Sequence, residues 1–432
     1  MDGGAGGNGG GGVATGGGSA TGGGSAMGGG SATGGGSATG GGSATGGSGT
    51  DAGPVMAMTD PPLVISGGGN VLATPKVQLI VYAQDPLLPQ IEAALTEFAT
   101  STIWAQQTAE YGVGPLTVRP TITIAGAPPA TLDDNTGTVT PFESTLAGNL
   151  SGANPAWGAA DPNTIYLFVL PNGTQINSSG LCCDPSAGFL GYHYEAAVGS
   201  MSVPYAVACN CPGFVTPSIT ALQNVTTTMS HELVEAATDP FYASNPGFGL
   251  VDDAHTIWNT ASFGGEIGDM CQSLTDANDT PPGATYTIQR SWSNAAALAG
   301  TDPCVPVPSA DPYFNAYPTL PDRVSILGPG GSPVMTEGVK IAVGQTRTID
   351  VVLKSSGATS GPWNVSVQDL SEYTGATAAT QVSLDKTSGR DGDVLHLTIK
   401  VLSVDRNIGG EGFVLSSTLG GRNTLWFGAV GQ

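Results

Sequence analysis

Apolar residues between positions 75 and 210 form short continuous runs separated by segments of helical or alternating pattern. The continuous runs predict buried strands at Lys76–Tyr82, Thr164–Leu170 and 205–208. The other segments predict a helix over 87–111, an alternating strand over 116–124 and a short helix over 142–150. This order of strands and helices predicts an α+β domain built on a mixed sheet.

The segment 217–238 has a helical pattern with defined ends. Thr216 suits an N-cap, Pro217 suits the first helical position, and Pro240 marks the exit. One face of the predicted helix is apolar and consists of Ile219, Leu222, Val225, Met229, Leu233 and Ala236. The opposite face is polar and consists of Asn224, Thr227, Thr228, His231 and Glu235.

The polar face contains the sequence His-Glu-x-x-Glu at positions 231–235. On a helix His231 and Glu235 lie one above the other and can ligate one ion, while Glu232 projects about 100° away. In His-Glu-x-x-His metallopeptidases the same spacing supplies two zinc ligands and a general base. We therefore predict a Zn²⁺ site with His231 and Glu235 as ligands and Glu232 as the base. The alternative is an ordinary solvated polar face.

A third ligand is expected downstream, within 261–273. Glu266 is predicted as that ligand and Asp269 as the group that orients a ligand from behind. Alternatively, both acids cap a helix or face water. A competing source of ligands is the acidic and histidine-containing stretch at Asp252, Asp253 and His255.

Two further histidines lie outside these segments. His193, on a strand or loop before the helix, can bind substrate or stabilise an oxyanion beside the metal, so it is a candidate catalytic residue. It equally fits a buried, hydrogen-bonded histidine. His396 fits an exposed strand position and receives no role.

From residue 321 the pattern changes to short strands separated by Gly, Ser and Asp. Strands are predicted at 339–343, 346–353, 363–367, Val394–Val401, 412–417 and 424–428. Six or seven strands in this length predict an all-β sandwich of the immunoglobulin or fibronectin type over 321–432.

Residues 1–60 consist of Gly, Ser, Ala and Thr in an Ala-Thr-Gly-Gly-Gly-Ser repeat, which predicts a disordered tether. Such a chain spans roughly 40 Å, enough to hold a folded body off a cell surface. The net charge of −22 argues against a nucleic-acid partner. No apolar run of about 18 residues predicts a transmembrane segment.

All six cysteines lie between Cys182 and Cys304. An even number in a chain of secreted composition favours disulfides, and local geometry disfavours pairs within 182/183 or within 209/211. A structural zinc site is the rival, although the Cys-x₂-Cys spacing of zinc knuckles is missing. Reduced buried thiols are a third interpretation.

Several sequence blocks carry a resemblance to a known family. They are Gly191-Tyr192-His193, 204–207, 211–213, 231–240 and Glu266-Ile267-Gly268-Asp269-Met270-Cys271. Their order resembles the plant Exordium (phosphate-induced) extracellular family and its bacterial relatives over about 75–310. The resemblance implies a secreted protein associated with growth and the cell wall. Cys182-Cys183 and the Gly-rich tail depart from the plant pattern.

Two functional hypotheses follow. The first is a secreted or surface-tethered zinc-dependent hydrolase, in particular a metallopeptidase, acting on a peptide or cell-surface polymer. Its fold would be a zincin-like mixed sheet laid over the active-site helix, since the predicted element order resembles the first half of a zincin. The second is a non-enzymatic extracellular factor of the Exordium type that binds carbohydrate or protein and uses any metal only to brace the fold.

Overall fold

The computed structural model describes residues 60–132, 140–152, 154–176, 182–183, 190–211, 219–262, 264–308, 311–404 and 411–432. The predicted tether lies outside these residues except for Asp60. Within the described ranges the chain is α+β, with many strands and few helices. No helix in those ranges is both long enough and apolar enough to span a membrane.

Residues 60–308 contain 14 described strands, most of them short. They are β1 Val64–Ser66, β2 Lys76–Tyr82, β3 Thr117–Val118, β4 Ile122–Ile124, β5 Thr131–Leu132, β6 Thr164–Leu170, β7 Gln175–Ile176, β8 Gly191–Val198, β9 Met201–Cys209, β10 Phe248–Val251, β11 Asn278–Asp279, β12 Ile288–Gln289, β13 Ser291–Trp292 and β14 Cys304–Val305. The α-helices are α1 Leu88–Thr100, α2 Thr102–Thr108, α3 Pro141–Asn149, α4 Ala221–Thr238, α5 Ile257–Ala261, α6 Asp269–Gln272 and α7 Asn294–Leu298.

The central sheet has the strand order β3-β2-β6-β9-β8, with β4 also paired to β2. All pairs are parallel except β8–β9, which is antiparallel with Tyr194 opposite Tyr205. Successive residues of β2 point to opposite faces. Leu79 therefore joins the apolar cluster that contains α1 and α4, and Ile80 joins the cluster that contains α3. Helices cover both faces, and β8 forms one edge.

The predicted strands at Lys76–Tyr82 and Thr164–Leu170 are confirmed at both ends. The single helix predicted over 87–111 is wrong, because Ser101 adopts an extended conformation that ends α1 and caps α2. The strand predicted over 116–124 divides into β3 and β4 around Pro120, which has no N–H to donate to a neighbouring strand.

Helix α4 begins at Ala221 rather than at 217. Its N-cap is Thr220, whose hydroxyl accepts a hydrogen bond from Gln223 N, while the Gln223 side chain accepts from Thr220 N. The predicted cap at Thr216 and Pro217 lies outside the described residues. Thr220 and Gln223 form a capping box, which fixes the start of the helix.

The polar face of α4 is buried, so the alternative of a solvated face is wrong. The helix packs against β6, β8 and β9 on one side and against α1 and β12 on others. Its polar side chains bond neighbouring backbone: Asn224 accepts from Cys211 N at 2.7 Å and Ser230 from Gln289 N at 2.9 Å. Asn224 and Ser230 are therefore satisfied by protein and not by bulk water, whereas the buried Thr227 hydroxyl has no partner in the described structure.

Residues 311–432 form two packed β-sheets of immunoglobulin-like type. The strands are β15 Phe314–Pro318, β16 Asp322–Leu327, β17 Pro333–Lys340, β18 Thr346–Ser355, β19 Trp363–Asp369, β20 Thr380–Leu384, β21 Ser388–Gly389, β22 Val394–Val401, β23 Glu411–Leu419 and β24 Arg422–Gly431, with a short helix α8 at Leu370–Tyr373. The sheet orders are β15-β18-β22-β20 and β16-β17-β24-β23-β19-β21. The strand predicted at 339–343 is misplaced, since β17 ends at Lys340.

Three disulfides link Cys182 to Cys209, Cys183 to Cys211 and Cys271 to Cys304. The prediction of disulfides is confirmed, as is the expectation that neither close pair bonds internally. The first two hold residues 182–183 against the end of β9. The third ties α6 to β14 and so restrains the segment that carries Asp269.

Candidate metal centre

Three segments bring all six site residues predicted from the sequence into one buried cluster. Helix α4 contributes His231, Glu232 and Glu235, and β8 contributes His193. The third segment, the loop before α6 together with the first residue of that helix, contributes Glu266 and Asp269. The roles assigned to these residues from the sequence remain predictions.

Glu235 lies at the centre of the cluster. Its Oε2 is 3.0 Å from His231 Nε2, and its Oε1 accepts hydrogen bonds from the backbone N–H groups of Gly268 and Asp269 at 3.1 and 3.2 Å. Asp269 Oδ1 is 3.8 Å from the same His231 nitrogen. One ligand atom from each of His231, Glu235 and Asp269 lies within 4.8 Å of the other two, a spacing that suits a metal ion.

His193 forms a second group around Glu235. Its Nδ1 is 3.7 Å from Glu232 Oε2 and 3.7 Å from Glu235 Oε2. Its Nε2 is 3.3 Å from Glu266 Oε1. One ligand atom from each of His193, Glu232 and Glu235 again lies within 4.8 Å of the other two. Glu235 therefore belongs to both groups, and Glu266 lies behind His193.

Three buried polar atoms near this cluster have no hydrogen-bond partner within the described residues. They are His193 Nε2, Glu266 Oε1 and Asp239 Oδ2. The first two face each other at 3.3 Å without hydrogen-bond geometry, and the other Asp239 oxygen accepts from Gly247 N at 2.7 Å. Buried unpaired polar atoms are costly, and in a native fold they indicate a role or a missing ligand.

The electrostatics of the cluster are dominated by excess carboxylate. Burial raises the pKa of Glu266 to about 7, although His193 opposes this. Burial, and then the charges of Glu235 and Glu266, hold the pKa of Asp269 well above its usual range. Burial would lower the pKa of His193 and His231, but the surrounding carboxylates outweigh it and raise both. Positive charge is therefore favoured here, whether from a proton or from a cation.

Three glycines lie where an added side chain would collide with residues of the cluster. A Cβ atom on Gly268 would lie 2.7 Å from Glu235 Oε1 and 2.8 Å from His231 Nδ1. A Cβ atom on Gly191 would lie 2.7 Å from Glu232 Oε1, and one on Gly249 would lie 2.7 Å from Asp239 Oδ2. Backbone thus approaches the acids closely from three sides, which requires residues without side chains.

Sequence reasoning missed two residues beside the cluster. Tyr242 is 51% exposed, and its ring centroid lies 6.3 Å from that of His193 and 6.2 Å from that of Tyr194. Glu195 accepts hydrogen bonds from Ala243 N, from Ser244 N and from the Ser244 hydroxyl, which holds the segment after Tyr242 against β8. The alternation of His193 and Glu195 along one strand was the available signal.

The competing ligand sources lie elsewhere. His255 Nδ1 is 2.9 Å from Asp252, and its ring lies 6.0 Å from that of Trp426 in the sandwich. His255 also groups with Asp60 and Glu337. His396 is exposed on β22 as expected and pairs with Asp385 at 2.8 Å. The structure therefore does not bring Asp252 or His255 to the cluster around Glu235.

A scan of the sequence against protein-family models gives no match, and a search of curated proteins gives none either. A search of solved structures finds surface-layer protein SbsC. Its domains 4 and 5 match with 15% identity and a TM-score of 0.16, covering 33% of this chain and 91% of that one. Its domains 4–9 match with 16% identity and a TM-score of 0.17, covering 34% of this chain and 24% of that one. At these TM-scores the likeness establishes neither a shared fold nor a shared function.

The donor set fits a divalent cation. Imidazole nitrogens suit zinc, and carboxylates suit zinc, manganese or magnesium. The orphaned atoms of His193 and Glu266 and the close approach of Gly268 agree with a preformed site. The resemblance to the Exordium family remains a prediction.

Proposed function

We propose that this chain is an extracellular, zinc-dependent hydrolase that cleaves peptide bonds. The observation that carries the proposal is the burial of two histidines and three carboxylates, those of Glu232, Glu235 and Asp269, in two groups that share Glu235 and have metal-ligand spacing. All six cysteines are disulfide-bonded, which supports an oxidising compartment outside the cytosol.

We assign the ion to His231, Glu235 and Asp269. Asp269 takes the ligand position because its carboxylate lies 3.8 Å from His231 Nε2. Glu266 instead orients the His193 ring, since Glu266 Oε1 lies 3.3 Å from His193 Nε2. The sequence predicted the reverse, with Glu266 as the third ligand and Asp269 as the orienting group. When bound, the ion would polarise the scissile carbonyl and lower the pKa of water.

Two residues are assigned to proton handling and charge stabilisation. Glu232 is buried next to the ligands, and among the described residues its cationic partners are only the histidines. It can therefore accept a proton from the attacking water and return it to the leaving amine. His193, at the edge strand, can donate a hydrogen bond to the oxyanion. Both functions require the positions that β8 and α4 give them.

The proposed substrate is an extended chain lying along β8. Within the described residues β8 pairs only with β9, so its outer edge can form hydrogen bonds with an added strand. Tyr242 is exposed beside His193 and offers an aromatic surface for a substrate side chain.

The test combines metal content with turnover in residues 60–432. We expect the wild type to bind zinc, measured by plasma mass spectrometry, and to cleave members of a fluorogenic peptide library. The His231→Ala, Glu235→Ala double variant should lose both, whereas His396→Ala, at an exposed histidine of the sandwich, should lose neither. Zinc binding without cleavage of any peptide would favour the binding-factor hypothesis, and a wild type without metal after zinc loading would refute the proposal.

A further inference from the structure

We propose that the site holds two divalent cations that share the carboxylate of Glu235. The first is the ion that the proposed function places at His231, Glu235 and Asp269, and the inference rests on the proposed function to that extent. The second lies between His193 Nδ1, Glu232 Oε2 and Glu235 Oε2.

The geometry of the second position matches a ligand set. His193 Nδ1 is 3.7 Å from each of the two carboxylate oxygens. Ligands about 2.0–2.2 Å from one ion are separated by distances of this size. Glu235 Oε2 also lies 3.0 Å from His231 Nε2, so one oxygen faces both groups. A shared oxygen is compatible with the roughly 3.5–4 Å separation that is common in two-metal hydrolases.

The surroundings of His193 support the assignment. Its side chain is only 4% exposed, and its Nε2 lies 3.3 Å from Glu266 Oε1. Metal-binding histidines usually direct their second nitrogen at a carboxylate or carbonyl, which fixes the ring and raises its basicity. With an ion at Nδ1, the Nε2 hydrogen would point at Glu266, and two orphaned atoms would gain a function.

The charge balance favours two ions over one. The carboxylates of this region are those of Glu232, Glu235, Asp239, Glu266 and Asp269, and all five residues are largely buried. If all five are ionised, a single divalent ion leaves three excess negative charges, and two ions leave one. Buried charges without partners are strongly unfavourable, so the second cation removes most of the penalty.

The inference changes the role of Glu232. As a ligand of the second ion Glu232 would be a metal-binding residue, whereas the proposed function makes it the proton acceptor. The inference also replaces the oxyanion role of His193, because Nδ1 would bind the second ion and Nε2 would face Glu266. Either role of Glu232, metal ligand or proton acceptor, predicts that Glu232→Gln, which preserves the shape of the side chain, loses turnover. The two roles predict different metal contents for that variant, so metal content separates them.

The experiment counts zinc per chain by plasma mass spectrometry after zinc loading and gel filtration. We expect two ions in the wild type, one in Glu232→Gln, one in His193→Ala and one in Asp269→Asn. Glu92→Gln, at an exposed position of α1, should retain two. Manganese-loaded wild type should give the electron paramagnetic resonance spectrum of an exchange-coupled pair, and Glu232→Gln that of an isolated ion. Circular dichroism of the metal-free variants checks that each remains folded.

Other outcomes overturn the inference in distinguishable ways. One ion in both the wild type and Glu232→Gln would refute the second site and leave the proposed function intact. No ion in the wild type would refute both. Two ions in Glu232→Gln, with one in an Asp239→Asn variant, would place the second ion at Asp239 and not at Glu232.

Discussion

Gly268 shows how a residue without a side chain can define a site. Its backbone is helical, with φ −75° and ψ −44°, so alanine meets no backbone restriction there. The space for a methyl group is already taken by Glu235 and His231, and Gly268 N also donates to Glu235. The requirement for glycine at this position is therefore local to the site.

We predict that Gly268→Ala weakens zinc binding by at least about tenfold, which is the smaller of the losses in affinity usual when a residue that supports a metal ligand is changed. The added methyl group would displace Glu235 or His231. Competition with a chromophoric chelator measures the effect. Gly148→Ala is the matched control, because a Cβ atom there meets nothing within 4 Å and the residue lies within α3. It should leave zinc affinity unchanged and stabilise the fold by about 0.5–1 kcal/mol. Equal zinc affinity in both variants would contradict the argument.

Asp252 gives a pH-dependent prediction away from the metal cluster. Burial alone would raise its pKa, but His255 and backbone N–H donors, including that of Leu63, lower it overall. A lowered folded-state pKa stabilises the protein above the unfolded value of about 3.9, and the contribution is lost as pH falls through the folded-state pKa.

Asp252→Asn should therefore lower the free energy of unfolding at pH 7 by about 1–3 kcal/mol. Because protonation removes the same charge from the wild type, the difference should narrow as pH falls below about 4. Urea unfolding of both proteins between pH 7 and pH 3 measures it. A constant difference across that range would show that ionisation of Asp252 is not the cause.

At the residue scale the sequence predicts the cluster but not its internal pairing. The four-residue spacing of His231 and Glu235 places both on one helical face wherever the helix packs. Glu266 and Asp269 are three residues apart at the start of α6, and only the packed position of that short helix decides which acid meets His231. The meeting of His193 with Glu266 depends on sheet register, which the local sequence does not specify.

Among the elements, α4 determines the site because it carries three of the six residues. Its start depends on the capping box at Thr220 and Gln223. We predict that Thr220→Ala lowers the free energy of unfolding by about 1 kcal/mol, since an unpaired N–H would remain in the first turn. Urea denaturation measures this loss. Thr220→Ser keeps the hydroxyl and should stay within a few tenths of a kcal/mol of the wild type, and an equal loss in both variants would contradict the capping argument.

The elements that the sequence predicts best are strands with an unbroken apolar pattern. The strands β2 and β6 are buried on both faces, so their continuous apolar sequence identifies them directly. The break at Ser101 was missed because the apolar periodicity continues into α2, with Ile103 and Trp104 buried like Phe98 before them. Periodicity records which face is buried, and it is insensitive to a change in helix direction.

For the whole molecule, the contact between residues 60–308 and the sandwich is extensive and specific. Trp258 packs on Phe427 with ring centroids 4.7 Å apart. The turn after β23 brings Arg422 to Asp276 and Asp302, each at 2.9 Å, where both acids also bind the fully buried Arg290. These long-range pairings join residues more than 100 positions apart. The sequence patterns that predicted the first domain and the sandwich therefore could not predict the contact between them.

We predict that Arg422→Ala lowers the free energy of unfolding by about 2–4 kcal/mol, because Asp276 and Asp302 would then share one cation. Calorimetry measures the change. Arg323→Ala, at an exposed arginine that bonds only the Met335 carbonyl in the described structure, should change it by less than about 0.5 kcal/mol. Similar changes in the free energy of unfolding for the two variants would show that the ion pairs of Arg422 do not couple the first domain to the sandwich.

The first described strand has a mechanical consequence. Strand β1 pairs with β10, and the chain beyond it continues along the same loop, with Gly67 N bonded to Gly247 O at 2.6 Å. Gly247 in turn donates to Asp239 beside the acidic cluster. A pulling force applied at Asp60 would therefore load β10 and the loop before it. If the molecule is held by that end, tension would be transmitted to the walls of the proposed metal site, and the affinity of that site for a cation would vary with the applied force.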